Sequence, residues 1–182
     1  MSPMNKKQTQ EEIARRLGQG ESKSAVFRAL SGAEVKDNQV AHLIATYADP
    51  KLTAQHAGLV KALVIISWVQ LFLALVVVLA NGGKLGLVIT LVLMAFTGAL
   101  GYLFIWGYQH HKAWAYTVSI FLSCTNLPKA FKDFSAEPIT SIVAFVLGLA
   151  VLIFTWHVRS KLFPDLYLVG PKKVSGSFVF SS

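Results

Sequence analysis

Ala62-Leu63-Val64-Ile65-Ile66-Ser67-Trp68-Val69-Gln70-Leu71-Phe72-Leu73-Ala74-Leu75-Val76-Val77-Val78-Leu79-Ala80 runs without a charge, and only Ser67, Trp68 and Gln70 interrupt its aliphatic character. A helix crossing the hydrocarbon core of a bilayer needs roughly 20 apolar residues, so this stretch reads as a membrane span. Working outward, Leu85 to Trp106 meets the same requirement, as does Ile139 to Trp156 with a little flanking sequence. A fourth run, Ala113 to Leu127, is shorter. It ends in Ser123-Cys124-Thr125-Asn126 before Pro128, where a helix would kink or stop. The pattern predicts an all-α membrane protein with a four-helix transmembrane bundle, its spans at about 61–80, 85–107, 113–128 and 138–158. A small helical cytoplasmic head (residues 1–58) precedes the spans and a short tail (159–182) follows them.

Composition agrees. Of the 182 residues 54% are hydrophobic and 14% charged, against about 45–50% and 25% in soluble domains. Disordered chains show the opposite bias. Cys124 is the lone cysteine, which excludes an internal disulfide scaffold. A cleaved signal peptide is not expected, because the first apolar run starts far into the chain and is too long for one. The net charge of +8 would suggest nucleic acid in a soluble protein, but in a membrane protein it marks the cytoplasmic face. Lys84, Lys129 and Lys132 fall in the two predicted external links, and the other fourteen of the seventeen basic residues fall on the opposite side. Both termini are therefore expected inside, in a bacterial cytoplasmic membrane. Trp106, Tyr108, Trp114, Tyr116 and Trp156 would then form an aromatic belt at that interface.

The head reads as short helices. Thr9-Gln10-Glu11-Glu12 has the spacing of a capping box. Ser22 or Ser24 can cap a helix carrying Val26, Phe27 and Leu30, and Asp37 can cap one carrying Val40, Leu43, Ile44 and Tyr47. Asp49-Pro50 is a helix start that is expected to run unbroken into the first span. In the tail, Val174-Ser175-Gly176-Ser177-Phe178-Val179-Phe180 fits either a hairpin or an extended segment covering the head.

Ile13-Ala14-Arg15-Arg16-Leu17-Gly18 followed by Ser22-Lys23-Ser24-Ala25-Val26-Phe27-Arg28-Ala29-Leu30 resembles the helix-turn-helix of resolvase-type DNA-binding domains, over about a tenth of the chain. Gln19-Gly20-Glu21 occupies a turn where that family usually has one residue, and turn length sets the angle between the helices. Glu11, Glu12 and Glu21 also offset the basic residues that a duplex reader would need, so nucleic acid is not the expected partner. The whole-chain pattern is similar to small uncharacterised bacterial four-span inner-membrane proteins. It is carried by Leu43-Ile44-Ala45-Thr46-Tyr47-Ala48-Asp49-Pro50, four spans, and Leu162-Phe163-Pro164 with Gly170-Pro171-Lys172-Lys173. That resemblance implies no particular activity.

Chemistry-bearing residues are few. Gln70 and Ser67 share a face of the first span, and Thr97, Ser123, Thr125 and Asn126 are candidate hydrogen-bond partners across the bundle. Small residues recur at packing spacing: Gly86 with Thr90, Thr97 with Gly101, and Ala144 with Gly148, with Gly98 and Gly107 adding to the second span. The Ala144–Gly148 face could also join two copies of the chain. His110, His111 and His157 are weak candidates for zinc or copper, and interfacial contact with lipid headgroups is the simpler expectation. Pumps usually embed a charge in a span and none is present here. Nucleophile elbows, phosphate loops and metalloprotease motifs are absent from the sequence, and Cys124 sits in an apolar segment. The expectation is no enzyme and no cofactor, but a multi-pass protein whose partners are the lipid bilayer and another protein. One version is immunity against a membrane-active toxin. The contrasting readings are a membrane-tethered DNA-binding regulator acting through residues 11–31, and a subunit of a small-molecule channel or transporter.

Overall fold

A computed structural model describes residues 5–32, 35–131 and 138–181. Within them the chain forms helices α1 (Lys6–Gly18), α2 (Lys23–Leu30), α3 (Asp37–Ala45), α4 (Pro50–Gln55), α5 (Ala57–Leu85), α6 (Leu87–Gln109), α7 (Ala113–Asn126) and α8 (Pro138–Leu162). A 3-10 turn, Leu127–Phe131, follows α7, and strands β1 (Lys173–Val174) and β2 (Ser177–Phe178) close the chain. Three helices are long and apolar enough to cross a membrane: α5, α6 and α8. The protein is thus a mainly helical membrane protein.

Two compact units divide the chain. One joins the residues up to Asp49 with those from Arg159 onward, and the other runs from Pro50 to Val158.

In the first unit, α1, α2 and α3 enclose a core of Ile13, Val26, Leu30, Val35, Val40 and Ile44. Phe180 from the far end of the chain packs on this core, beside Leu17, Phe27 and Leu43. Ser22 caps α2 as expected, accepting from the Ala25 N–H at 3.3 Å. The start of α1 differs from the sequence reading. Asn5 precedes the helix and its N–H donates to Gln8 Oε1 at 2.9 Å. Thr9, read as the cap, is buried one turn inside, where its hydroxyl donates to the Asn5 carbonyl. A threonine that bonds back one turn satisfies itself within a helix and needs no terminus. Asp37 likewise begins α3 as its first helical residue and accepts from the Gly32 N–H at 2.9 Å. The C-terminal residues form a hairpin with Lys173 opposite Phe178 and Val174 opposite Ser177. Ser175 and Gly176 both take positive φ (50° and 83°), which suits a two-residue turn between twisted strands.

In the second unit, α5 and α6 form an antiparallel pair. The sequence reading placed a polar link at Asn81–Lys84, but α5 continues through it and the reversal occurs at Gly86 alone. Its φ of 82° and ψ of 154° lie where side chains are essentially excluded. The two glycines before it do not break the helix, because Asn81 Nδ2 bonds the Val77 carbonyl and the Thr90 hydroxyl reaches the Gly82 and Gly86 carbonyls. At the other end, the helix expected to run on from Pro50 is interrupted at His56, which separates α4 from α5. The third expected span, 113–128, is an α-helix only to Asn126. Its 14 residues at ~1.5 Å each reach about 21 Å, short of a ~30 Å core. The five residues of the 3-10 turn add about 10 Å. The link charges Lys132, Asp133 and Glu137 lie outside the described residues.

Candidate functional site

Two places concentrate polar chemistry, one in each unit. In the membrane unit, Gln70 of α5 and Ser123 and Asn126 of α7 line one cavity with Leu127, Ala144, Gly148 and Val151. Its volume is about 260 Å³. Axial rise explains the meeting. Gln70 lies nine residues beyond Lys61, Ser123 ten beyond Ala113, and Gly148 eleven before Arg159, so each is about 13–17 Å from its helix's polar end. Three helices therefore bring these residues to one depth. Lys129 donates to Asn126 Oδ1 at 2.8 Å. Gly148 leaves room for the Leu127 side chain, 3.2 Å from where a Cβ would sit.

Of the other residues singled out in the spans, Ser67 bonds the Leu63 carbonyl of its own helix at 2.8 Å and is absent from the cavity lining. Thr97 is half-buried and also lies outside that lining. Gly101 is a contact point, since a Cβ there would meet Leu71 of α5 at 2.5 Å. Gly98 has open space around it. Gly107, near the α6–α7 turn, is equally tight, since a Cβ there would meet the Ala115 Cβ at 2.5 Å. That close approach buries Tyr108 and Tyr116, with ring centroids 4.9 Å apart, so these two leave the expected aromatic belt. Trp114 and Trp156 remain exposed.

The histidines do not assemble. His110 stacks on Trp106 at 4.5 Å, and its Nδ1 faces the Trp106 carbonyl. His111 adopts positive φ at the turn, and burial followed by the neighbouring His110 lowers its pKa. Among the described residues no three His, Cys, Asp or Glu side chains come together as a metal set, so the grouping of His110, His111 and His157 does not form.

In the head–tail unit the decisive group is Asp165, which the sequence reading passed over. Its carboxylate is 3% exposed and pairs with Lys23 of α2 at 2.6 Å. The Ser181 N–H and hydroxyl donate to the same carboxylate. Two charges taken from water must be well satisfied to coexist, and here one acid gathers α2, the segment after α8 and the C-terminus. Around it Phe27 meets Phe178 and Phe180 at 5.2 and 5.5 Å between centroids. Arg159 is buried and its guanidinium donates to the Tyr167 and Leu168 carbonyls, the latter at 2.7 Å. Of the other three cations of the helix-turn-helix segment, Arg28 is exposed and reaches the Ser24 carbonyl of its own helix, while the other two pair with acids. Arg15 and Arg16 both bond Glu12, holding its carboxyl at about pKa 2, and Arg16 approaches Glu21 at 3.7 Å. A cleft of about 240 Å³ lies between Lys6 and α3 residues Asn38, Gln39, His42 and Leu43 on one side and Val169–Pro171 on the other.

Only an acid seven residues past the last span, a lysine at a helix start and a terminal serine marked this clamp, and none has a motif. No protein-family description, curated protein or solved structure matches the chain.

Proposed function

We propose that the chain is a non-enzymatic, four-span protein of the bacterial cytoplasmic membrane, with both termini inside, whose joined head and tail form a docking body for another protein. The observation that carries this reading is the Lys23–Asp165–Ser181 clamp, with Phe180 on the head core. A head and tail that share one core must lie on the same side of the membrane, so the chain between them crosses an even number of times. With α5, α6 and α8 as three crossings, α7 and its 3-10 turn supply the fourth, at a combined reach of about 31 Å. Helix α2, which a DNA reader would lay in the major groove, instead has Lys23 and Phe27 engaged by the tail. That favours a protein partner over a duplex. Immunity to a membrane-active toxin is one form this takes.

The test is affinity purification of the intact chain in mild detergent, with a Asp165→Ala variant in parallel. A protein captured by the wild type and lost with the variant supports the reading. Salt-dependent duplex binding by the intact protein would replace it with the regulator. The mid-depth cavity at Gln70, Ser123 and Asn126 favours a second reading, a small-molecule channel or transporter subunit. Under that reading Gln70→Leu abolishes solute flux in vesicles and leaves partner capture intact.

A further inference from the structure

The segment just after α8 carries three consecutive exposed apolar residues: Tyr167 (66%), Leu168 (52%) and Val169 (74%). Exposed aliphatic and aromatic side chains in a row are uncommon on a water-facing loop. This loop is not slack. Tyr167 N–H bonds the Gly170 carbonyl at 2.9 Å, Leu166 bridges to Pro171, and the Asp165 carbonyl accepts from Lys172 N–H at 2.9 Å. The guanidinium of Arg159, in the last turn of α8, holds the Tyr167 and Leu168 carbonyls. The Tyr167 N–H and the Tyr167 and Leu168 carbonyls are thus satisfied from behind while the three side chains project forward. A backbone held in this way, with part of its polar groups already paired, suits the wet headgroup level of a bilayer rather than its hydrocarbon core.

We propose that Tyr167-Leu168-Val169 is a membrane-insertion tip that seats in the interface of the bilayer α8 crosses, selecting anionic lipid. Covalent continuity argues for this occupant. Only Phe163–Leu166 separate the end of α8 from the tip, and Arg159 ties the tip back to that helix end. Charge argues the same way. Lys161, Lys172 and Lys173 flank the tip and are exposed, and Asp165, the one acid of the tail, is buried in the clamp. Basic residues are drawn to an anionic leaflet, and a tyrosine suits the headgroup level.

The experiment uses the full chain with Cys124→Ser, so that Leu168→Cys can be labelled with an NBD fluorophore. The protein is placed in nanodiscs of phosphatidylcholine with or without phosphatidylglycerol. Because Leu168 already points outward, the label leaves the core undisturbed. The expected result is blue-shifted emission that lipids spin-labelled near the headgroup quench strongly. Phosphatidylglycerol should enhance both effects, and the Lys161→Gln/Lys172→Gln/Lys173→Gln variant should lose that enhancement. Water-like, unquenched emission overturns the proposal. So does blue-shifted emission that lipid quenchers fail to reach, which would mean the tip docks on protein.

Discussion

At the scale of single residues, the buried carboxylate of Asp165 carries the most consequence. Asp165→Ala leaves Lys23 charged and nearly buried with no counterion, which in comparable sites costs about 3–5 kcal/mol. Lys23→Met should cost less, because both Ser181 donors remain on the acid. Limited proteolysis checks this: cleavage after Lys172 or Lys173 should appear readily in the Asp165 variant and slowly in the Lys23 variant. His42 offers a pH test. Burial beside the cleft, with Lys6 near, lowers its pKa. The unfolded chain then binds the proton more readily, so this contribution is full above about pH 6.5 and is lost as pH falls below it. The residue is nonetheless exposed to solvent, which makes the slope shallow. Protection factors at α3, which correct for the slower intrinsic exchange at lower pH, should fall from pH 7.5 toward 5.5, and His42→Gln should flatten that dependence. The role of Asp165 was not legible beforehand, because burial of a polar group is settled by partners far apart in the chain: 142 residues separate Lys23 from Asp165.

At the scale of elements, glycines separate contact from mere helix composition. Gly101→Val places branched carbons where Leu71 already sits and should destabilise the α5–α6 pair by about 1–3 kcal/mol. Gly98→Ala, with open space around it, should be neutral or stabilise by up to about 1 kcal/mol. Unfolding of the two variants in mixed detergent micelles measures the contrast. Gly86→Ala is different in kind, since its cost of about 1–3 kcal/mol comes from backbone conformation and not from packing. Long apolar runs announced α5, α6 and α8 directly, because length and hydropathy are local properties. The helix ends were less legible. Asn81-Gly82-Gly83-Lys84 looks like a loop in sequence, yet side-chain and backbone hydrogen bonds carry α5 through it and leave the turn to one glycine. Gln70, Ser123, Ala144 and Gly148 were singled out from residue type and spacing alone, and they line one cavity, with Gln70 and Ala144 still exposed. Ser67 was not separable from them, because a serine can satisfy itself on its own helix.

At the scale of the whole molecule, the question is how many times the chain crosses, and parity ties it to the head. Three crossings would put the residues before Asp49 and those after Arg159 on opposite sides of the membrane, where they could not form one compact unit. The proposed four crossings would keep them together, and the bias of basic residues would put that side in the cytoplasm. The sequence alone supplied the charge bias but no parity argument, since nothing local marks Phe180 as part of a core built from α1, α2 and α3. Two measurements should agree. A reporter fused after Ser182 should be active only in the cytoplasm. In a Cys124→Ser background, Lys84→Cys should react with an impermeant maleimide from outside intact cells, and Lys36→Cys should not. A reporter active outside, with Lys36→Cys still protected, would establish an odd number of crossings and would demote α7 to a helix that dips into the bilayer without traversing it. The Lys23–Asp165 pair could not then form within one chain, so the clamp and the topology stand or fall on one experiment.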